Sequence, residues 1–320
     1  MTGTTDTTEI SRLLLLAADR RDQGDPAAAV DMLVPAAERW PECAFVHLHL
    51  GLCYNALDQP AHAERAFRRS LALERQPYTL SFLAHALRRQ NRYAESADCL
   101  RAALAIDAND EEAHYNLGCH LRFEGQLDAA IDHLQRASDI DADYAAAHAE
   151  LGFALMLQAR RGGSDRNGDL QRALRHLQRS VQLDPRYHWS RLYLGNLLWT
   201  LKRIRQARPH YEAAVRLRPD DGFVLSCSAD FLSSQFPASR LAESRFKTAV
   251  QMAPDDPHIH YEYGRHLLRS ERYGEARREL LLAERLGHER AREALSNGTY
   301  NSMPRTSTER AIRARTRSER

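Results

Sequence analysis

Fifteen histidines and five cysteines are the residues of this 320-residue chain best able to do chemistry. Imidazole and thiolate could bind a transition metal, and a Cys/His pair could act as nucleophile and base. Their spacing supports neither. Cys43, Cys53, Cys99, Cys119 and Cys227 are odd in number and contain no Cys-x-x-Cys pair, so a disulfide framework and a thiolate zinc site are both disfavoured. His47, His114, His148 and His260 recur once per repeating segment. Copies one helix pair apart cannot share an ion whose ligands each sit about 2 Å away. His258-x-His260 alone is too few ligands. Gly162-Gly163 lacks the Lys-Ser/Thr of a phosphate-cradling loop, and neither Gly-x-Ser-x-Gly nor His-Glu-x-x-His occurs. The expectation is a chain with no catalytic residues, no cofactor and no metal.

Composition agrees with a folded chain: 43% hydrophobic and 28% charged, with formal net charge +2. Lys202 and Lys247 are the only lysines, so Arg supplies nearly all positive charge. Arg305, Arg310, Arg313, Arg315, Arg317 and Arg320 concentrate it at the end of the sequence against Glu309 and Glu319. Such a tail could attract RNA or another polyanion, or simply solubilise the end, which is the preferred reading. Free thiols inside helical patterns suit a reducing cytoplasm. The first ten residues lack the basic and apolar regions of a secretory signal, and Leu13 to Ala18 is too short to span a bilayer.

What positions these residues is a repeat. Ala17, Gly51, Ala84, Gly118, Gly152, Gly195, Ala229 and Gly264 return at intervals near 34 residues. Ala29, Ala63, Ser96, Ala130, Ala173, Ala207, Ala242 and Ala276 run in step. Large residues hold a third register: Leu33, Phe67, Leu100, Leu134, Leu177, Tyr211, Phe246 and Leu280. Within residues 111–144, Leu117, Gly118 and Leu121 share one helical face. Glu124-Gly125-Gln126 breaks the helix, and Leu127, Ala130, Ile131, Leu134 and Ala137 mark a second. Small residues let the paired helices approach, and no unit can bury its faces alone. Eight units are expected, at 10–43, 44–76, 77–110, 111–144, 145–187, 188–221, 222–256 and 257–288. One interval is stretched to 43 residues by ARRGGSDRN at 159–167, expected to form a flexible loop. Pro237 is expected to end the first helix of the seventh unit.

These registers, with closing prolines Pro41, Pro185, Pro219 and Pro254, resemble the tetratricopeptide repeat family. Ala108, Ala142 and His288 replace that proline in three units, and Arg75 with Pro77 just beyond it in another. Histidine stands in four units where the family favours tryptophan. The resemblance implies an all-α fold: an α-solenoid, a right-handed superhelix of about eight helix-turn-helix repeats. The organisation expected is a disordered 1–9, the array over 10–296 with a capping helix ERAREALS, and a disordered basic tail over 297–320.

The resemblance also implies function, namely a non-enzymatic scaffold or adaptor holding a peptide or partner segment in a concave groove lined by first helices. Projected onto this chain, the groove would present Phe45, His49, Tyr78, Phe82, Tyr115, Asn116, Phe153, Trp189, Tyr193, Asn196, Trp199, Phe223, Tyr261 and Arg265. Tyr115, Asn116, Phe153, Trp189, Tyr193, Asn196 and Trp199 are the candidate contacts, because aromatics with polar tips suit peptide recognition. A clamp for a terminal carboxylate is disfavoured by Ser81, His85, Ala146 and Glu150. An asparagine ladder is disfavoured by Phe82, Glu150 and Tyr193. The alternatives are a nucleic-acid adaptor using the tail, or the non-catalytic arm of an enzyme complex.

Overall fold

The computed structural model describes residues 3–162 and 165–296, and among them every regular element is an α-helix. The helices come in sequential pairs: α1 (Gly3–Asp22) with α2 (Pro26–Arg39), α3 (Ala44–Ala56) with α4 (Pro60–Leu73), α5 (Pro77–Arg89) with α6 (Tyr93–Ile106), and α7 (Glu111–Phe123) with α8 (Leu127–Ile140). The series continues with α9 (Ala145–Arg161) and α10 (Arg166–Leu183), α11 (His188–Thr200) and α12 (Ile204–Leu217), α13 (Gly222–Gln235) and α14 (Arg240–Met252), and α15 (Pro257–Arg269) and α16 (Tyr273–Arg285). A last helix, α17 (Glu289–Ser296), follows. These are the eight hairpins of an all-α helical repeat solenoid. Packing divides the chain into two compact units, Met1–His176 and Leu177–Arg320, with the boundary inside α10.

In the first unit the registers become core contacts. Leu33, Phe67 and Leu134 have no exposed surface, and Leu100 has 2%. The glycines opposite them are needed. A Cβ on Gly51 would come within 2.5 Å of the Phe67 ring, and one on Gly118 within 2.6 Å of Leu134 Cγ. Ser96 fits among alanines because its hydroxyl donates to the Ala84 carbonyl at 2.8 Å. The same registers in the second unit bury Leu177, Tyr211, Phe246 and Leu280. There α17 covers the last hairpin, with Ala291 buried against Leu280 and Ala283.

The histidines that replace tryptophan pin the connections. Nε2 of His47, His114, His148 and His260 lies 3.0, 3.2, 3.1 and 2.8 Å from the carbonyl oxygen six residues earlier, on Pro41, Ala108, Ala142 and Pro254. A carbonyl only accepts, so Nε2 carries the proton. Nδ1 of His114 and His148 then accepts from Nδ1–H of His133 (2.9 Å) and His176 (3.0 Å) on the second helix. His260 instead meets Glu279 at 2.6 Å. Arg191 Nε makes the loop contact in the sixth repeat, at 3.4 Å to Pro185. Among the described residues no group of three or more His, Cys, Asp and Glu is placed to hold a metal ion.

Adjacent repeats are also tied by a recurring charge clamp. Arg92 bonds Glu64 of the repeat before it (2.7 Å) and Glu95 of its own (2.6 Å). Arg272 does the same with Glu243 (2.6 Å) and Glu275 (2.5 Å).

Two expectations are corrected. Residues 3–9 lie in α1 rather than in a disordered leader, and Glu9 accepts two bonds from Arg39, at 2.6 and 2.8 Å. The insertion at 159–167 is not mainly a loop. It is taken up by lengthening α9 to 17 residues and α10 to 18, against 13 and 14 in the hairpin before. Gly162, at φ +87°, closes α9 in the left-handed conformation. Near Pro237 the expectation holds, as α13 ends at Gln235. The basic tail and Gly163 lie outside the described residues.

Candidate functional site

The first helices carry the candidate side chains, and each unit has its own patch. In the first unit Tyr115 packs on Tyr144 with ring centres 5.1 Å apart, and Asn116 turns its amide back onto the Glu112 carbonyl of α7. Phe153 of α9 lies under the Arg122 guanidinium, 5.0 Å from the ring centre. Arg122 Nε also reaches Glu150 Oε2 at 2.9 Å. Glu150 is buried, so this pairing offsets the cost of a carboxylate away from water. The arginine is thereby held over an aromatic face by a cation–π contact and an ion pair together.

The second unit holds a longer arrangement. Trp189 of α11 lies 5.6 Å from Tyr193 and 5.9 Å from Phe223 of α13. Phe223 lies 5.7 Å from His258 of α15. His258 stacks on His288 at 6.0 Å, and His288 on Tyr261 at 4.2 Å. The result is a ribbon of rings across three successive first helices. Burial holds the His258 and His288 imidazoles below the ordinary histidine range, so both are neutral at pH 7.

Beside the ribbon sits a charge cluster. Arg265 lies 5.7 Å over Tyr261, 2.6 Å from Glu262 and 3.8 Å from Asp230, and Arg269 reaches Asp230 at 2.8 Å. Burial, and then the nearby Asp230 carboxylate, pushes Glu262 well above the ordinary carboxylate range. Arg265 beside Glu262 and Arg269 beside Asp230 offset the negative charge that these carboxyl groups bring to the site.

The geometry sorts the sequence candidates. Trp189 and Phe223 keep partly exposed rings. Tyr193 is only 5% exposed and serves as backing for Trp189. Asn196 accepts the Tyr211 hydroxyl at 2.6 Å, which ties its amide to the hairpin interior. Trp199 stands edge-on to Tyr211 (6.5 Å) and Phe231 (5.8 Å), at the other end of α11. Sequence reasoning missed Asp230, Glu262 and Arg269, and it met Glu150 only as an argument against a clamp or a ladder. Their signal was a charge on the apolar-rich face of a first helix. Among the described residues no helix is long and apolar enough to cross a membrane.

Comparison with known proteins agrees with this architecture. Models described as TPR repeat or tetratricopeptide repeat match residues 14–78, 84–119, 121–158, 166–223 and 239–297. No curated protein matches the chain. Among solved structures, the thermophilic TPR protein TTC0263 of Thermus thermophilus is similar with a TM-score of 0.53 and 22% identity, over 60% of this chain and 99% of that one. The APC/C hetero-tetramer Cut9-Hcn1 gives 0.67 and 19%, over 79% and 48%. The human IFIT1 dimer with PPP-AAAA gives 0.57 and 16%, over 83% and 69%. At these identities the structures share the fold alone. With the family models spanning both units, the chain belongs to the tetratricopeptide repeat family, whose members are in general protein-interaction scaffolds.

Proposed function

We propose that this chain is a non-enzymatic adaptor that holds an extended or helical segment of a protein partner against its first helices. The observation that carries the reading is the ring ribbon Trp189–Phe223–His258, which crosses three repeats beside the Arg265 cluster. Large rigid rings offer contact area at low entropic cost, and the flanking charges fix register. Tyr115, Asn116 and Phe153 form a second contact in the first unit. The five free cysteines suit a cytoplasmic location.

Affinity capture from the native lysate, followed by amide-exchange mapping of the captured complex, tests this. Wild type and a chain lacking residues 299–320 should retain the same partner and protect α11, α13 and α15. Trp189→Ala/Phe223→Ala, with helicity confirmed by circular dichroism, should lose it. Capture that survives this double variant but needs the tail, and falls steeply with salt, would favour a nucleic-acid adaptor. Turnover by the purified chain alone would refute the scaffold reading, whereas activity only in the captured complex would make the chain an enzyme's non-catalytic arm.

A further inference from the structure

We propose that copies of this chain associate with one another, α12 of one copy docking against α8 of the next through opposite charges at matched repeat positions. The two helices are equivalent elements, the second helices of the fourth and sixth repeats. Aligned by repeat, Asp128 of α8 corresponds to Arg205 of α12, Asp139 corresponds to Arg216, and Asp141 just beyond α8 corresponds to Arg218. Asp128 and Asp139 are as far apart along one helix as Arg205 and Arg216 along the other, about 16 Å at the helical rise. All of these side chains are exposed. In the other repeats these three positions never hold a full set of either sign.

Of the three matched arginines, Arg218 is taken within its own chain, by Asp220 at 3.1 Å, and the charges along α12 itself are left open. Among the described residues Lys202, Arg203, Arg205, Arg208 and Arg216 make no ion pair. Glu212, the lone acid of α12, is taken by Arg245 at 2.8 Å. Arg203 shows why. It occupies the position of the clamp arginines Arg92 and Arg272, but Leu174 and Gln206 stand where their glutamates would be. Asp128, Asp132 and Asp139 likewise have no cation within bonding distance. The partners of Asp128 and Asp139 are amides, Gln158 and Gln135.

A nucleic acid would satisfy α12 but leave the acidic stripe unexplained, whereas a second copy accounts for both. Unlike faces meet, so the contact is heterologous and can propagate beyond a dimer. Exposed pairs are individually weak, so the association is modest and sensitive to salt.

Sedimentation of the full chain over a concentration series, at about 0.1 M and about 1 M salt, reads this, because the screening length falls from about 10 Å to about 3 Å. The wild-type average mass should rise with concentration only at the lower salt. Arg205→Glu/Arg216→Glu and Asp128→Arg/Asp139→Arg should each weaken association by about tenfold or more, with unchanged circular dichroism. Mixing the two reversed variants should restore it, because their inverted faces fit each other. A wild type that stays monomeric, association untouched by either reversal, or a mixture that fails to associate would each overturn the proposal. So would a monomeric wild type that binds a single-stranded RNA oligonucleotide lost on Arg205→Glu/Arg216→Glu, which would make α12 a nucleic-acid face.

Discussion

A methyl group on Gly118 would lie 2.6 Å from Leu134 Cγ and 3.2 Å from the Ala130 carbonyl oxygen, inside a hairpin where Leu134 has no exposed surface into which to retreat. Gly195 holds the same repeat position, yet a methyl there would first meet the Tyr211 ring, at 3.3 Å. Alanine gains about 1 kcal/mol over glycine in a helix interior, while overpacking costs about 1–3 kcal/mol. Gly118→Ala should therefore lower stability by up to about 2 kcal/mol, and Gly195→Ala should be neutral or slightly stabilising. Urea denaturation of the two variants decides it. Equal effects would mean that the hairpins yield to small residues alike and that these contacts do not set the helix approach.

The turns within hairpins show a similar contrast at the scale of the element. Gly24, Asp58, Asn91, Gly125, Lys202 and Glu271 occupy one repeat position and share positive φ, between 57° and 85°. Glycine adopts that conformation freely, whereas a side chain there costs about 1 kcal/mol or more. Glu271 makes no ion pair among the described residues, so Glu271→Gly should raise stability by about 1 kcal/mol, read as a higher denaturation midpoint. An unchanged or lower midpoint would show that the turn is not strained. The hairpins themselves were legible in the sequence because helical spacing of small and large residues is a direct consequence of close packing. The fate of the insertion was not. Gly162 and its polar neighbours spell a loop, but Leu155, Met156 and Ala159 offered enough buried contact to carry α9 onward. The candidate site was legible only to the level of the face. Spacing places Trp189, Tyr193 and Asn196 on one helix, but whether a polar atom turns outward or, like Asn196, towards Tyr211 depends on partners distant in sequence. The same limit hid the Asp230–Arg269 pair, whose members are 39 residues apart.

Across the whole molecule the histidines set how stability depends on acidity. Burial lowers His49, His85, His133, His188, His210, His258, His266 and His288, and it drives His176 to about 4, with the neighbouring His148 adding to the shift. In the unfolded chain each titrates near 6.5. The unfolded state therefore binds more protons below that value, and stability present above pH 6.5 drains away as pH falls towards 4. Glu243, lowered to about 2 by bonds from Arg272 and then Lys247, adds a later loss as pH falls below the ordinary carboxylate range. Glu262 works the other way. Its raised pKa contributes stability that is full in acid and lost as pH rises through that pKa. Urea midpoints should accordingly begin to fall below pH 6.5, before ordinary carboxylates protonate. His176→Asn isolates the largest contribution, because its amide can donate to His148 as the ring does without titrating. The full shift of His176 corresponds to about 3 kcal/mol. Allowing for partial exposure, the variant should recover about 1–2 kcal/mol of the loss between pH 6.5 and pH 4. A wild-type midpoint that stays flat over that interval, or a variant that falls as steeply as wild type, would show that the paired imidazoles are not what holds these hairpins closed.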